Sequence, residues 1–95
     1  MTTMIQKAFA KFAEDLSVEI TSGKLSKDDV HEWLLGFGYK VTDSGCWYNT
    51  YTMKSSRKGY YIHLWWTNVG NDVKDPKFLF AGMAWGDKDS EYGRI

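Results

Sequence analysis

Apolar residues recur at three- and four-residue steps along the first part of the chain. Ile5, Ala8, Phe9, Phe12, Ala13, Leu16 and Ile20 form one stripe, the mark of an amphipathic helix. Lys7, Lys11, Glu14 and Asp15 take much of the opposite side. Ser22-Gly23 is a suitable stop, so the pattern predicts a helix over 3–22. A second helix is predicted over 26–36. Its start, "SKDD", offers Ser26 as a capping hydroxyl with an acid three residues on, and places Asp28 and Asp29 in the first turn. Val30, Trp33 and Leu34 share a face. Gly36 and Gly38 around Phe37 end the helix, since two glycines so close do not belong in a helix interior.

From Tyr39 the period drops from 3.6 to 2. Strands are predicted over 39–41, 46–54, 60–67 and 78–85, followed by a polar tail over 86–95. "TDSG" reads as a turn after the first of these. "CWYNTYTMK" sets Trp47, Asn49, Tyr51 and Met53 against Cys46, Tyr48, Thr50 and Thr52, and its Thr, Tyr and Trp content suits a pleated surface. "SSRKG" reads as a hairpin loop, and "TNVGNDVKDPK", which holds the one proline, Pro76, as a longer one. The connections are too short for crossover helices, so pairing should be antiparallel. The whole chain, 1–95, then reads as a single α+β domain. Its two N-terminal helices pack on one face of a three- to four-stranded antiparallel meander.

Tyr60, Ile62, Leu64 and Trp66 are the more apolar side of the third strand and should face the helices. Tyr61, His63 and Trp65 should project from the reverse, joined there by Tyr48 or Trp47 and by Met83 or Trp85. Two helices cannot cover that second face, and a large exposed aromatic patch marks an interface. Arg57 and Lys58, in the basic loop with Lys54, would form its rim.

Bulk composition narrows the function further. The 12 basic and 12 acidic residues cancel, which is neither the excess of a general nucleic-acid binder nor the acidity of a nucleic-acid mimic. The single cysteine, Cys46, excludes an internal disulfide and favours a reducing, cytoplasmic setting. Lys7, Lys11, Glu14 and Asp15 interrupt every apolar run of the N-terminus, and nothing elsewhere approaches ~18 uninterrupted apolar residues, so no membrane span or signal segment is expected.

Catalytic and metal-binding signatures are not legible. His31-Glu32 opens like a zinc-protease helix, but Leu35 stands where the second histidine is needed. His63 is read as a stacked or hydrogen-bonded ring, or as a polar contact within a binding face. A Cys46–His63 couple would need an orienting third group. "GNDVKD" and "GDKD" lack the spacing and closing glutamate of a calcium loop. "GFG" lacks the continuation of a phosphate loop. No cofactor or metal and no enzymatic activity are therefore expected.

The reading that follows is a small protein-binding module, or a self-associating homodimer, acting through the aromatic face. Its partner-binding residues would be Tyr61, His63, Trp65, Met83, Trp85, Tyr48, Arg57 and Lys58. By composition it resembles phage-encoded viral proteins that act as inhibitors or modulators of host factors. The alternative is single-stranded RNA binding, in which the same rings stack on bases and the 54–58 loop holds phosphates.

Overall fold

The computed structural model describes residues 4–70 and 77–95, apart from the side chain of residue 5. Of the loop read over 67–77, residues 71–76, with Pro76, lie outside the described residues. Two helices, α1 (Met4–Thr21) and α2 (Lys27–Gly36), precede five strands: β1 (Lys40–Trp47), β2 (Thr50–Arg57), β3 (Tyr60–Asn68), β4 (Phe78–Asp87) and β5 (Glu91–Arg94). All pair antiparallel in sequence order, a meander. The α+β architecture is as expected, with one strand more than the upper count. The tail supplies it: β5 pairs with β4, and Met83 and Ile95 exchange both backbone hydrogen bonds.

Helix ends follow the local chemistry. Ser26 Oγ accepts from Asp29 N–H at 3.3 Å, and the Asp29 carboxylate accepts from Ser26 N–H at 3.1 Å. This is a reciprocal capping box that satisfies two otherwise orphaned donors. At the other end, Gly38 takes φ +84°. Tyr39 N–H then reaches Leu34 O at 3.0 Å, and Gly38 N–H reaches Leu35 O at 3.0 Å. That pair is a Schellman closure, and it brings Tyr39 down beside Leu34 in the core.

The core joins Phe9, Ala13, Leu16 and Ile20 of α1 and Val30 and Leu34 of α2 to one side of the sheet. Its centre is the cross-strand row Met53–Leu64–Met83, all fully buried. Tyr60, Ile62, Leu64 and Trp66 face the helices as expected, and Phe9 meets Tyr39 and Tyr60 ring to ring.

Three features differ from the sequence reading, and each is a matter of phase. First, "TDSG" is strand, with Asp43 opposite Lys54 and Ser44 opposite Met53. The turn falls instead at Tyr48-Asn49, inside the segment read as one strand. A turn over 42–45 would set Val41 opposite Cys46, on the face turned away from Met53. The observed turn, with a bulge between Val41 and Asp43, sets Val41 opposite Ser55 on the helix side. Second, "SSRKG" contracts to a two-residue turn, Lys58-Gly59, both at positive φ, the backbone a tight hairpin requires.

Third, Met83 and Trp85 were expected on the aromatic reverse face but are buried in the core, 0% and 5% exposed. Strict alternation would oppose them to Phe78 and Phe80. A bulge lets Trp65 pair with Gly82 while Trp66 pairs with Phe80. The extra residue, Ala81, inverts the phase, so all four large side chains reach the helix side.

Leu64→Ala should therefore cost about 2–5 kcal/mol in equilibrium unfolding, the usual loss for a fully buried truncation. Trp65→Ala, on the reverse face, should cost clearly less. The opposite order in urea titrations would contradict this assignment of faces.

Candidate interaction surface

The face turned away from the helices, here the outer face, can be read row by row from the strand register. Trp47–Thr50–Thr67–Leu79 lies at one end. Gly45–Thr52–Trp65–Gly82 and Asp43–Lys54–His63–Ala84–Arg94 follow, then Lys40–Ser56–Tyr61–Gly86–Glu91. Tyr61, His63 and Trp65 are on this face as expected, but they lie along it half-buried and do not stand proud. Opposite them on the adjoining strand stands the column Gly82, Ala84 and Gly86. A methyl added at Gly82 would fall 2.5 Å from Trp65 Cζ2, so the indole rests directly on that glycine. The Arg94 guanidinium carbon lies 5.3 Å from the same ring's centroid, a cation–π contact. Arg94 was not anticipated. Its signal was the alternation of "EYGRI" within a tail read as merely polar.

His63 is the hinge of this face. Its ring meets Trp65 edge-on at 5.4 Å, and Nε2 is buried without a hydrogen-bond partner among the described residues. A hollow of about 320 Å³ opens on one side, lined by Thr42, Lys54, Ser56 and Tyr61. Another of about 280 Å³ opens on the other, lined by Thr52, Trp65, Ala84, Glu91 and Arg94. Burial lowers the His63 pKa, and the Lys54 charge lowers it further against a smaller upward pull from Asp43. Burial, with Glu91 and Asp87, raises that of Tyr61.

The most exposed aromatics lie at one end of this face. Trp47 and Tyr48, at the β1–β2 turn, are 76% and 86% exposed, and their rings touch at a tilt of 57° with centroids 4.7 Å apart. Tyr48 sits at φ +55°, a left-handed conformation disfavoured for a side chain of that bulk. Tyr48 was among the expected contact residues. Trp47 emerges as its equal.

The basic rim does not assemble. Lys54 stands mid-strand beside His63, Lys58 is in the turn, and Arg57 pairs with Tyr60 on the helix side. The Arg57 guanidinium lies 6.0 Å from the centroid of the Tyr39 ring. Arg57 is thus on the opposite side of the sheet from Tyr61 and Trp65, because the contracted turn leaves it in strand phase.

The helix side carries a hollow of about 560 Å³ between the α1–α2 connection and β4. Ile20, Leu25, Trp66, Phe78 and Phe80 make it chiefly apolar, and the nearby Lys27 ammonium lies 4.6 Å from the Tyr51 ring centroid. Cys46 is exposed and stands on the helix side of the sheet, opposite Tyr51, whereas His63 is on the outer face. The two do not form a couple. Among the described residues no group of His, Cys, Asp and Glu could hold a metal ion, and no helix is long and apolar enough to cross a membrane.

The lowered pKa of His63 fixes the sign of a pH effect. An imidazole that charges less readily when folded leaves the unfolded chain to bind more protons as pH falls. Stability should be full above the ordinary histidine pKa of 6.5 and decline as pH drops below it. Urea titrations of the protein and of His63→Gln, from neutral to mildly acidic pH, should show the slope only in the former. Equal slopes would remove His63 as its source.

No protein-family model, curated protein or solved structure matches the chain, and its function must be argued from this surface.

Proposed function

We propose that the protein is a small non-enzymatic protein-binding module acting through its outer sheet face, with Trp47 and Tyr48 as anchors. The observation that carries this reading is the aromatic tip. Two large rings are held in water, and one of them on a backbone that costs a non-glycine residue about 1–2 kcal/mol. Neither joins the core, so the fold gains little from them. Trp and Tyr are the residue types that concentrate binding energy at interfaces. Tyr61, His63 and Trp65 would extend the contact along the face, and Lys54 and Arg94 would give it polar definition.

A reducing cytoplasmic setting agrees with the single exposed thiol. The narrower role, a phage-type inhibitor of a host protein, is suggested by composition alone. Single-stranded RNA binding draws less support. Base stacking needs free ring faces, whereas the Trp65 ring already lies against Gly82 and Arg94, and the basic residues of 54–58 are dispersed.

Trp47→Ser tests the reading. Capture of a protein partner from nuclease-treated extract of the native cell should weaken by about 2 kcal/mol or more, while unfolding stability changes by less than about 0.5 kcal/mol. Tyr48→Gly should weaken capture too, yet raise stability by about 1 kcal/mol through relief of the left-handed backbone. Capture insensitive to both substitutions would refute the tip as anchor.

A further inference from the structure

The strand that carries Trp47 has a second unspent property. β1 is the edge of the sheet, and every residue from Thr42 to Trp47 is exposed, including Ser44 and Cys46 on the helix side. Edges are ordinarily protected by lysine, proline, shortness or a cover. Lys40 and the bulge between Val41 and Asp43 protect only the start of β1; positions 44–47 contain no lysine, no proline and no charge. The opposite edge, β5, has four residues.

Gly45 sharpens the point. A glycine inside a strand costs roughly 0.5–1 kcal/mol against alanine, and it often marks the close approach of another backbone. Gly45 has no positive φ, and nothing in the protein lies within 4 Å of the position a Cβ would take. The monomer gives no reason for it.

We propose that β1 pairs antiparallel with β1 of a second copy of this chain, with Gly45 opposite the partner's Gly45 at the twofold axis. This rests on the reading of the Trp47 end as an interaction surface, and names its occupant. The pairing pattern selects this register. Residues flanking a two-residue turn bond to each other, so Trp47, Gly45 and Asp43 spend their backbone groups on β2, and Cys46 and Ser44 point theirs outward. With Gly45 on the axis, Ser44 meets the partner's Cys46, and Cys46 the partner's Ser44, as hydrogen-bonded pairs. The glycines become the close, non-bonded pair in which the backbones approach most nearly.

Size and charge agree. Trp47 falls opposite the partner's Asp43, so the bulkiest side chain of each strand meets a short one. The two Asp43 carboxylates stand roughly 14 Å apart by strand rise, beyond the ~8 Å screening length. Centring the axis on Asp43 would bring them face to face. The contact is isologous and closes as a dimer, and both outer faces become one continuous surface.

Sedimentation velocity on the full chain across the micromolar range should show a concentration-dependent monomer–dimer equilibrium. Ser44→Pro removes an outward N–H, and should leave a monomer with an unchanged near-ultraviolet circular dichroism spectrum. If that variant fails to fold, the register has an independent test in a Cys46→Ser background. There Gly45→Cys should form a covalent dimer on mild oxidation, and Thr52→Cys, one strand inward on the same face, should not. A wild-type chain that stays monomeric, a dimer indifferent to Ser44→Pro, or equal cross-linking from both cysteines would overturn the proposal. A monomer whose capture of another protein still depends on Trp47 would overturn the dimer alone and leave the binding module standing. Loss of that dependence in a proven β1 dimer would do the reverse.

Discussion

A layer of two helices can keep water from only one side of a five-stranded sheet, and each strand must deliver its core residues to that side in the same phase. Side chains alternate along a strand, so a slip of one residue exchanges the two faces. β3 sets the phase, with Ile62, Leu64 and Trp66 under the helices. β2 matches it through the Lys58-Gly59 turn. The outer strands match it only by carrying extra residues: one bulge brings Val41 back to the helix side, and another, at Ala81, brings Met83 and Trp85 there in company with Phe78 and Phe80. The fold therefore depends on irregularities in the sheet as much as on its regular pairs.

This explains which parts of the architecture could be read from the residues alone. The helices announce themselves through a long 3.6-residue stripe and through capping chemistry that is local in sequence, Ser26 with Asp29 and Gly38 after Leu35. The inward side of β3 is equally plain, because its alternation is unbroken. Bulges leave a fainter trace. Gly82 after Ala81 was a hint of one, but alternation across "FLFAGMAW" argued against it and sent Met83 and Trp85 to the wrong face. "TDSG" has ideal turn composition. The chain overrides it, because a turn there would leave Val41 facing away from the helices. Tertiary burial outweighed local propensity at both places.

The outer face is an economical surface. Its rings are laid down on glycine and alanine, and the tail supplies Arg94 to cover Trp65, so an aromatic face without a helical roof becomes a textured plane with His63 between two hollows. What stays uncovered is concentrated where β1 and β2 run past the helices. The molecule is correspondingly long, 46 × 24 × 24 Å. Exposure, backbone strain and an unused hydrogen-bonding edge coincide at that one end.

The bulge at Ala81 carries a further implication for how such a chain can change. Side-chain replacements in β4 perturb one site each, but losing or gaining a single residue there would turn over everything downstream, sending Met83 and Trp85 toward solvent and carrying β5 and Arg94 with them. Length within this strand should be held more tightly than residue identity. Substitutions can then accumulate between fixed spacings, while insertions and deletions are tolerated only at the hairpin turns.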